Sequence, residues 1–129
     1  MANDMGDKFA EEIKQILEQF HMDCDSALSH SEERMANDAV KKLKAISPKK
    51  SGKYAKSWFK KKEGKKYIVA NKKYQLTHLL ENGHELIYMG KATGKRVKAF
   101  PHIKPTADSI LNVAEGYLEE ELYKISKRG

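Results

Sequence analysis

The chain has 129 residues, of which 40% are hydrophobic and 33% charged, with a formal net charge of +7. This length holds one modest domain with one core, and the composition is that of a charge-rich soluble fold. No apolar run approaches the roughly 18 residues of a membrane span. The acidic opening "MANDMGDKFAEE" is not expected to be a secretory signal, and the single cysteine, Cys24, excludes an intramolecular disulfide.

Charge is segregated along the chain. Residues 1–40 carry ten acidic and three basic side chains, a balance of −7. Residues 41–104 carry nineteen basic and three acidic, a balance of +16, and residues 105–129 come to −2. A basic middle between acidic ends suits an anionic polymer, or the acidic ends of a neighbouring copy. A solvated lysine-rich surface is the plainer alternative.

Residues 7–46 read as one long helix. Apolar side chains from Phe9 to Ile46 recur mostly at steps of three, four or seven. Ser29-His30-Ser31 interrupts the stripe and predicts a bend or break. Unbroken, the helix is about 60 Å long, long enough that part of its stripe calls for another chain. Ser47-Pro48 ends it, because a residue before proline avoids helical backbone. Residues 47–54 read as a loop. Strands follow at 56–62 and 65–71, rich in aromatic and β-branched residues, with a hairpin turn at Glu63-Gly64. Helical spacing returns over 74–82, with Leu76, Leu79 and Leu80 expected inward and Asn82-Gly83 as the stop. A short strand is predicted over 84–90. Residues 91–100 read as a mobile basic loop returning into a strand at Val97–Phe100. Pro105 opens a final helix over 105–126. The organisation is thus α+β in one domain of 1–129. A long N-terminal helix (1–46) and a C-terminal helix (105–126) pack on a small antiparallel sheet, within 47–104, that contains a basic hairpin.

"YQLTHLLENGHE", residues 74–85, looks at first like a chemical site. A zinc-protease helix would read H-E-x-x-H. Here the order is His78-x-x-Glu81-x-x-His84, and Gly83 breaks the helix before His84. Adding His102 or Glu85 as a third ligand still meets no metal motif. "GKATGKR", 90–96, is one residue short of a phosphate-binding loop and has Arg96 where serine or threonine would hold magnesium. No serine–histidine–aspartate order stands out. The reading therefore assigns no catalytic residue, cofactor or metal. It treats Glu81, His84 and His102 as hydrogen-bonding groups that tie the Gly83 turn to the Pro101 segment.

The lysine cluster is the strongest physical signal. Residues 41–73 contain fourteen lysines, one acid (Glu63) and no arginine. Lysines meet phosphates as point charges, whereas base-reading contacts favour arginine. Lys49, Lys50, Lys53, Lys60, Lys61, Lys62, Lys65 and Lys66 are the candidates for contact with DNA or an acidic partner. Such contact would be sequence-blind and salt-sensitive.

Three segments, in order, resemble a family. "SPKKSGKYAKSW" (47–58) resembles the P-x-x-[TS]-G-x-[LY]-x-x-S segment of neck, or tail-component, proteins of long-tailed double-stranded DNA phages and prophages. "YQLTHLLENGH" (74–84) resembles that family's Y-x-x-x-H-L-L-E-x-G-H, and "KRVKAFPHIKPTAD" (95–108) its G-x-V-x-x-x-P-H-I-x-P-A. Thr106, where the family commonly has alanine, and Lys50 are departures. The resemblance implies a structural virion protein of the head–tail junction, assembled in the host bacterial cytoplasm and not an enzyme. Its implied partners are further copies of itself in a ring and other connector or tail proteins, with sequence-blind contact to packaged DNA. Neither a membrane nor a small-molecule substrate is implied. The Gly90–Lys98 loop is expected to order upon assembly. A small sequence-independent nucleic-acid-binding protein is the alternative, and a metal-dependent hydrolase a third class.

Overall fold

The computed structural model describes residues 4–128. Helix α1 runs from Asp4 to Ile46 without interruption, 43 residues and so about 65 Å. The break expected at Ser29-His30-Ser31 is absent. Ser31 donates its hydroxyl to the Ala27 carbonyl at 2.8 Å, one turn back, so the serine is satisfied inside the helix. Ala27 and Ser31 are both buried, and the C-terminal helix packs along this stretch. At the other end Ser47 closes the last turn on the Leu43 carbonyl.

The segment expected as a loop contains one helical turn, α2 (Lys53–Lys56). Strands β1 (Trp58–Glu63) and β2 (Lys66–Asn71) pair antiparallel, from Trp58↔Asn71 to Glu63↔Lys66. Their turn is Gly64-Lys65, one residue later than expected. Gly64 sits at φ +58°, a backbone region that glycine enters at little cost. Helix α3 spans Tyr74–Asn82. A second antiparallel hairpin follows, β3 (His84–Tyr88) and β4 (Lys91–Val97). The expected mobile loop at Gly90–Lys98 is therefore mostly strand, and residues 98–100 lie outside any strand. The two hairpins form separate sheets where a single sheet was expected.

Helix α4, Ile103–Arg128, starts two residues before Pro105. It runs antiparallel to α1. His30 and Arg34 meet Glu121, Arg34 also meets Glu120 at 2.7 Å, and Tyr117 bonds Asp38. The Arg34 guanidinium lies 4.0 Å over the Tyr117 ring.

The core sits where α1, α2 and β1 meet. Leu43, Tyr54 and Trp58 are buried there, with Val40, Val69, Leu80 and Ile103 packed around them. Of the three leucines of α3 expected inward, Leu80 alone joins this cluster, while Leu76 and Leu79 are each 41% exposed. The accessible surface is 10209 Å². A compact monomer of this mass would expose about 6,900 Å². Much of the excess lies on the N-terminal half of α1 and on the β3–β4 hairpin, which are exposed nearly throughout.

Leu43 is the aliphatic centre of so small a core. Leu43→Ala is expected to lower the unfolding free energy by about 2–5 kcal/mol, measured by urea denaturation.

Candidate functional site

The polar residues that converge do so around His102, whose side chain is fully buried. Its Nε2 lies 2.7 Å from the Tyr54 hydroxyl. Its Nδ1 lies 2.8 Å from the Phe100 carbonyl oxygen and 2.9 Å from Glu81 Oε1. Both neighbours of Nδ1 accept, so Nδ1 carries a hydrogen toward them, and in the tautomer with a bare Nε2 the Tyr54 hydroxyl donates to that nitrogen. Tyr54 and Trp58 meet the imidazole edge-on, with centroids at 5.5 and 6.1 Å. The polar ends of this cluster are also matched. Trp58 Nε1 donates to Ser47 Oγ at 2.8 Å, and Asn71 Nδ2 donates to the Tyr54 carbonyl at 2.9 Å.

Glu81, on the last turn of α3, reaches the start of α4. Oε1 accepts from the backbone N–H groups of His102 and Ile103 at 2.7 and 2.8 Å, and Oε2 from Lys104 at 3.1 Å. The next residue, Pro105, has no N–H, and the Thr106 N–H turns back to the His102 carbonyl. The donors that a helix start leaves orphaned are thus all accounted for. This is why α4 begins before its proline. Burial by itself would raise the Glu81 carboxyl, but the three N–H donors, with His102 beside it, hold it below the ordinary range near 4.5.

Gly83 makes this approach possible. At φ +73° it leaves the helix, and a Cβ there would lie 2.6 Å from the Val97 carbonyl oxygen. The Phe100 N–H bonds the Leu80 carbonyl at 2.7 Å beside it. The structure thus joins Glu81 and His102 across the Gly83 and Pro101 segments. His84 stands apart from them. Its Nδ1 turns to the carbonyl of Glu85 at 3.0 Å, and it pairs with Val97 in the second hairpin.

Tyr54–His102–Glu81 has the connectivity of a nucleophile–base–orienting triad. Its environment suits the opposite task. Burial, with the Glu81 charge nearby, pushes the Tyr54 hydroxyl up, so it stays protonated. Both Tyr54 and His102 are buried. The arrangement braces three elements: α2, α3 and the start of α4. Among the described residues, no group of three histidine, cysteine, aspartate or glutamate side chains is placed to hold a metal ion. No described helix is long and apolar enough to cross a membrane.

Sequence reasoning missed Tyr54, Ser47 and Asn71 as members of this network. Two signals were present: a serine directly before the helix-ending proline, and an asparagine closing a strand. It also missed Arg34, Asp38 and Glu121, whose partners lie roughly eighty positions away.

The candidate lysines form a separate surface. Lys49 and Lys50 lie in the exposed loop, Lys53 on α2, Lys60, Lys61 and Lys62 on β1, Lys65 in the turn and Lys66 on β2. Lys60 pairs with Glu33 of α1 at 3.2 Å, and Lys61 with Glu63 at 2.8 Å. Lys60 and Lys62 lie over the Tyr67 ring, whose hydroxyl also donates to Glu33. One face of the ribbon is therefore turned toward acidic α1. Lys49, Lys50, Lys53, Lys62, Lys65 and Lys66 have no ion-pair partner among the described residues.

A carboxylate whose folded pKa is depressed contributes stability above its unfolded pKa. That contribution is lost as pH falls through the lower folded value. Glu81→Gln is expected to cost about 1–3 kcal/mol at neutral pH. Its stability should also fall less steeply than that of the wild type below the carboxylate range. Urea unfolding across a pH series measures both.

Comparison of the chain with protein-family models, curated proteins and solved structures gave no match in any of the three.

Proposed function

We propose that this chain is a structural virion protein of the head–tail junction of a long-tailed phage, joining the DNA-filled capsid to the tail as a ring subunit or beside one. The observation that carries this reading is the unspent surface. The chain exposes 10209 Å², against about 6,900 Å² for a compact monomer of its mass. That surplus lies within the range buried by permanent assemblies, about 2,000–5,000 Å². A segregated charge pattern favours head-to-tail contacts, which close into rings when the rotation permits. The three segments that resemble the neck family agree with it. Between them the three supply Tyr54, Trp58, Glu81 and His102, the bracing network itself. On this reading the chain is assembled in the host cytoplasm and resides in the virion, with further copies, other connector proteins and packaged duplex as neighbours.

A sequence-blind nucleic-acid-binding protein is the second reading. The exposed lysines without ion-pair partners, all lacking the arginine fork, favour it.

Disrupting the gene in its phage or prophage is expected to yield filled heads and separate tails by electron microscopy. Joined, infectious particles would refute the junction role. For the second reading, Lys62→Ala, Lys65→Ala and Lys66→Ala together should flatten the salt dependence of duplex binding. If each of the three meets one phosphate, the log–log slope falls by about 2.7. An unchanged slope removes this surface from nucleic-acid contact.

A further inference from the structure

The N-terminal half of α1 is an arm without a partner among the described residues of its own chain. Residues 5–22 are exposed without a break, and the first buried side chain is Ala27. Among the described residues, every side-chain hydrogen bond or ion pair the arm makes is local: Lys14–Glu18, Gln19–Asp23 and His21–Asp25. Yet it carries Phe9, Ile16, Leu17 and Phe20 at 60–67% exposure, with Ile13 at 41%. At about 100° per residue these side chains share one sector about 100° wide. A stripe of this kind, with anchors at i, i+4, i+7 and i+11, is the form that lies in an apolar groove.

Such a groove exists at the opposite end of the molecule. It holds about 570 Å³ between α1, β2, α3 and α4. Leu43, Val69, Tyr74, Ile110 and Leu111 line it, and no aspartate, glutamate, lysine or arginine does. Tyr74 and Leu111 are 67% and 71% exposed, so the groove is open to a visitor. The arm cannot turn back into the groove of its own chain. Phe20 and Leu43 lie on one unbroken helix, about 35 Å apart along its axis.

We propose that the α1 arm of one copy docks in this groove of the next copy, a heterologous, head-to-tail contact. Charge selects the occupant. The described arm, residues 4–24, has six acidic and two basic side chains. Two arms side by side would bring like charges together. The middle segment, which supplies Leu43, Val69 and Tyr74 to the groove, carries the balance of +16. The surface excess is also large enough for one such contact at each end of every subunit. This deepens the connector reading by naming its self-assembly contact.

Complementation tests it. Phe20→Glu spoils the arm and Leu111→Glu spoils the groove; both side chains are exposed, so each variant should fold, as circular dichroism would verify. By light scattering, the wild type is expected to be an oligomer and each variant a monomer of 14.7 kDa. Mixed, the two retain one intact arm and one intact groove, and should give a 1:1 dimer of twice that mass. A mixture that stays monomeric, a monomeric wild type, or variants as oligomeric as the wild type would overturn the proposal. None of these results bears on whether heads and tails join without the gene, so the two readings fail separately.

Discussion

The carboxylate of Glu81 is the point on which the lower half of the molecule depends. It lies at the positive end of α4, where the helix dipole and three unpaired N–H groups favour an anion. The same oxygen that accepts from His102 and Ile103 stands beside the His102 ring. One side chain of α3 thereby places the start of α4 and orients the imidazole. The imidazole in turn meets Tyr54 of α2. Tyr54 is tied through its carbonyl to Asn71 at the end of β2. A short polar chain thus crosses four elements, α3, α4, α2 and β2.

That network matters because the core is small. Leu43, Tyr54 and Trp58 are the large buried apolar side chains in its centre. Two of the three carry a polar group, and each polar group has a partner. Trp58 meets Ser47, and Tyr54 meets His102. In a low-dielectric interior such a satisfied network specifies one arrangement, because every alternative leaves a donor or acceptor unpaired. The α1–α4 seam uses the same logic at the surface, where Arg34 joins Glu120, Glu121 and Tyr117 in one cluster.

The unevenness of burial separates a body from its extensions. Around residues 27–43 of α1 the chain packs α4 on one side and the first hairpin on another. Beyond them the arm and the second hairpin project with apolar side chains in water, including Ile87, Tyr88 and Met89. An isolated two-stranded hairpin is marginally stable. Both extensions leave apolar side chains without cover, and this exposed surface is what the proposed assembly role rests on.

The sequence by itself determined the α+β class, the long first helix, the first hairpin to within two residues and the span of α3. Apolar period and proline or glycine punctuation are local signals, and these elements follow them. Local signals misled where distant contacts decide. The Ser29–Ser31 interruption is no break, because α4 packs along this stretch and Ser31 bonds within the helix. Residues 91–97 form a strand because β3 lies beside them, although their glycine and charges read as a loop. Helix α4 starts before Pro105 because Glu81, twenty-two positions from Ile103, satisfies its first donors. Glu81 and His102 were legible as a pair of hydrogen-bonding groups; that His84 is not with them was not. Tyr54 at the far nitrogen of the imidazole was equally hidden. Which side chains meet across a core depends on how elements pack, and no spacing along the chain records that.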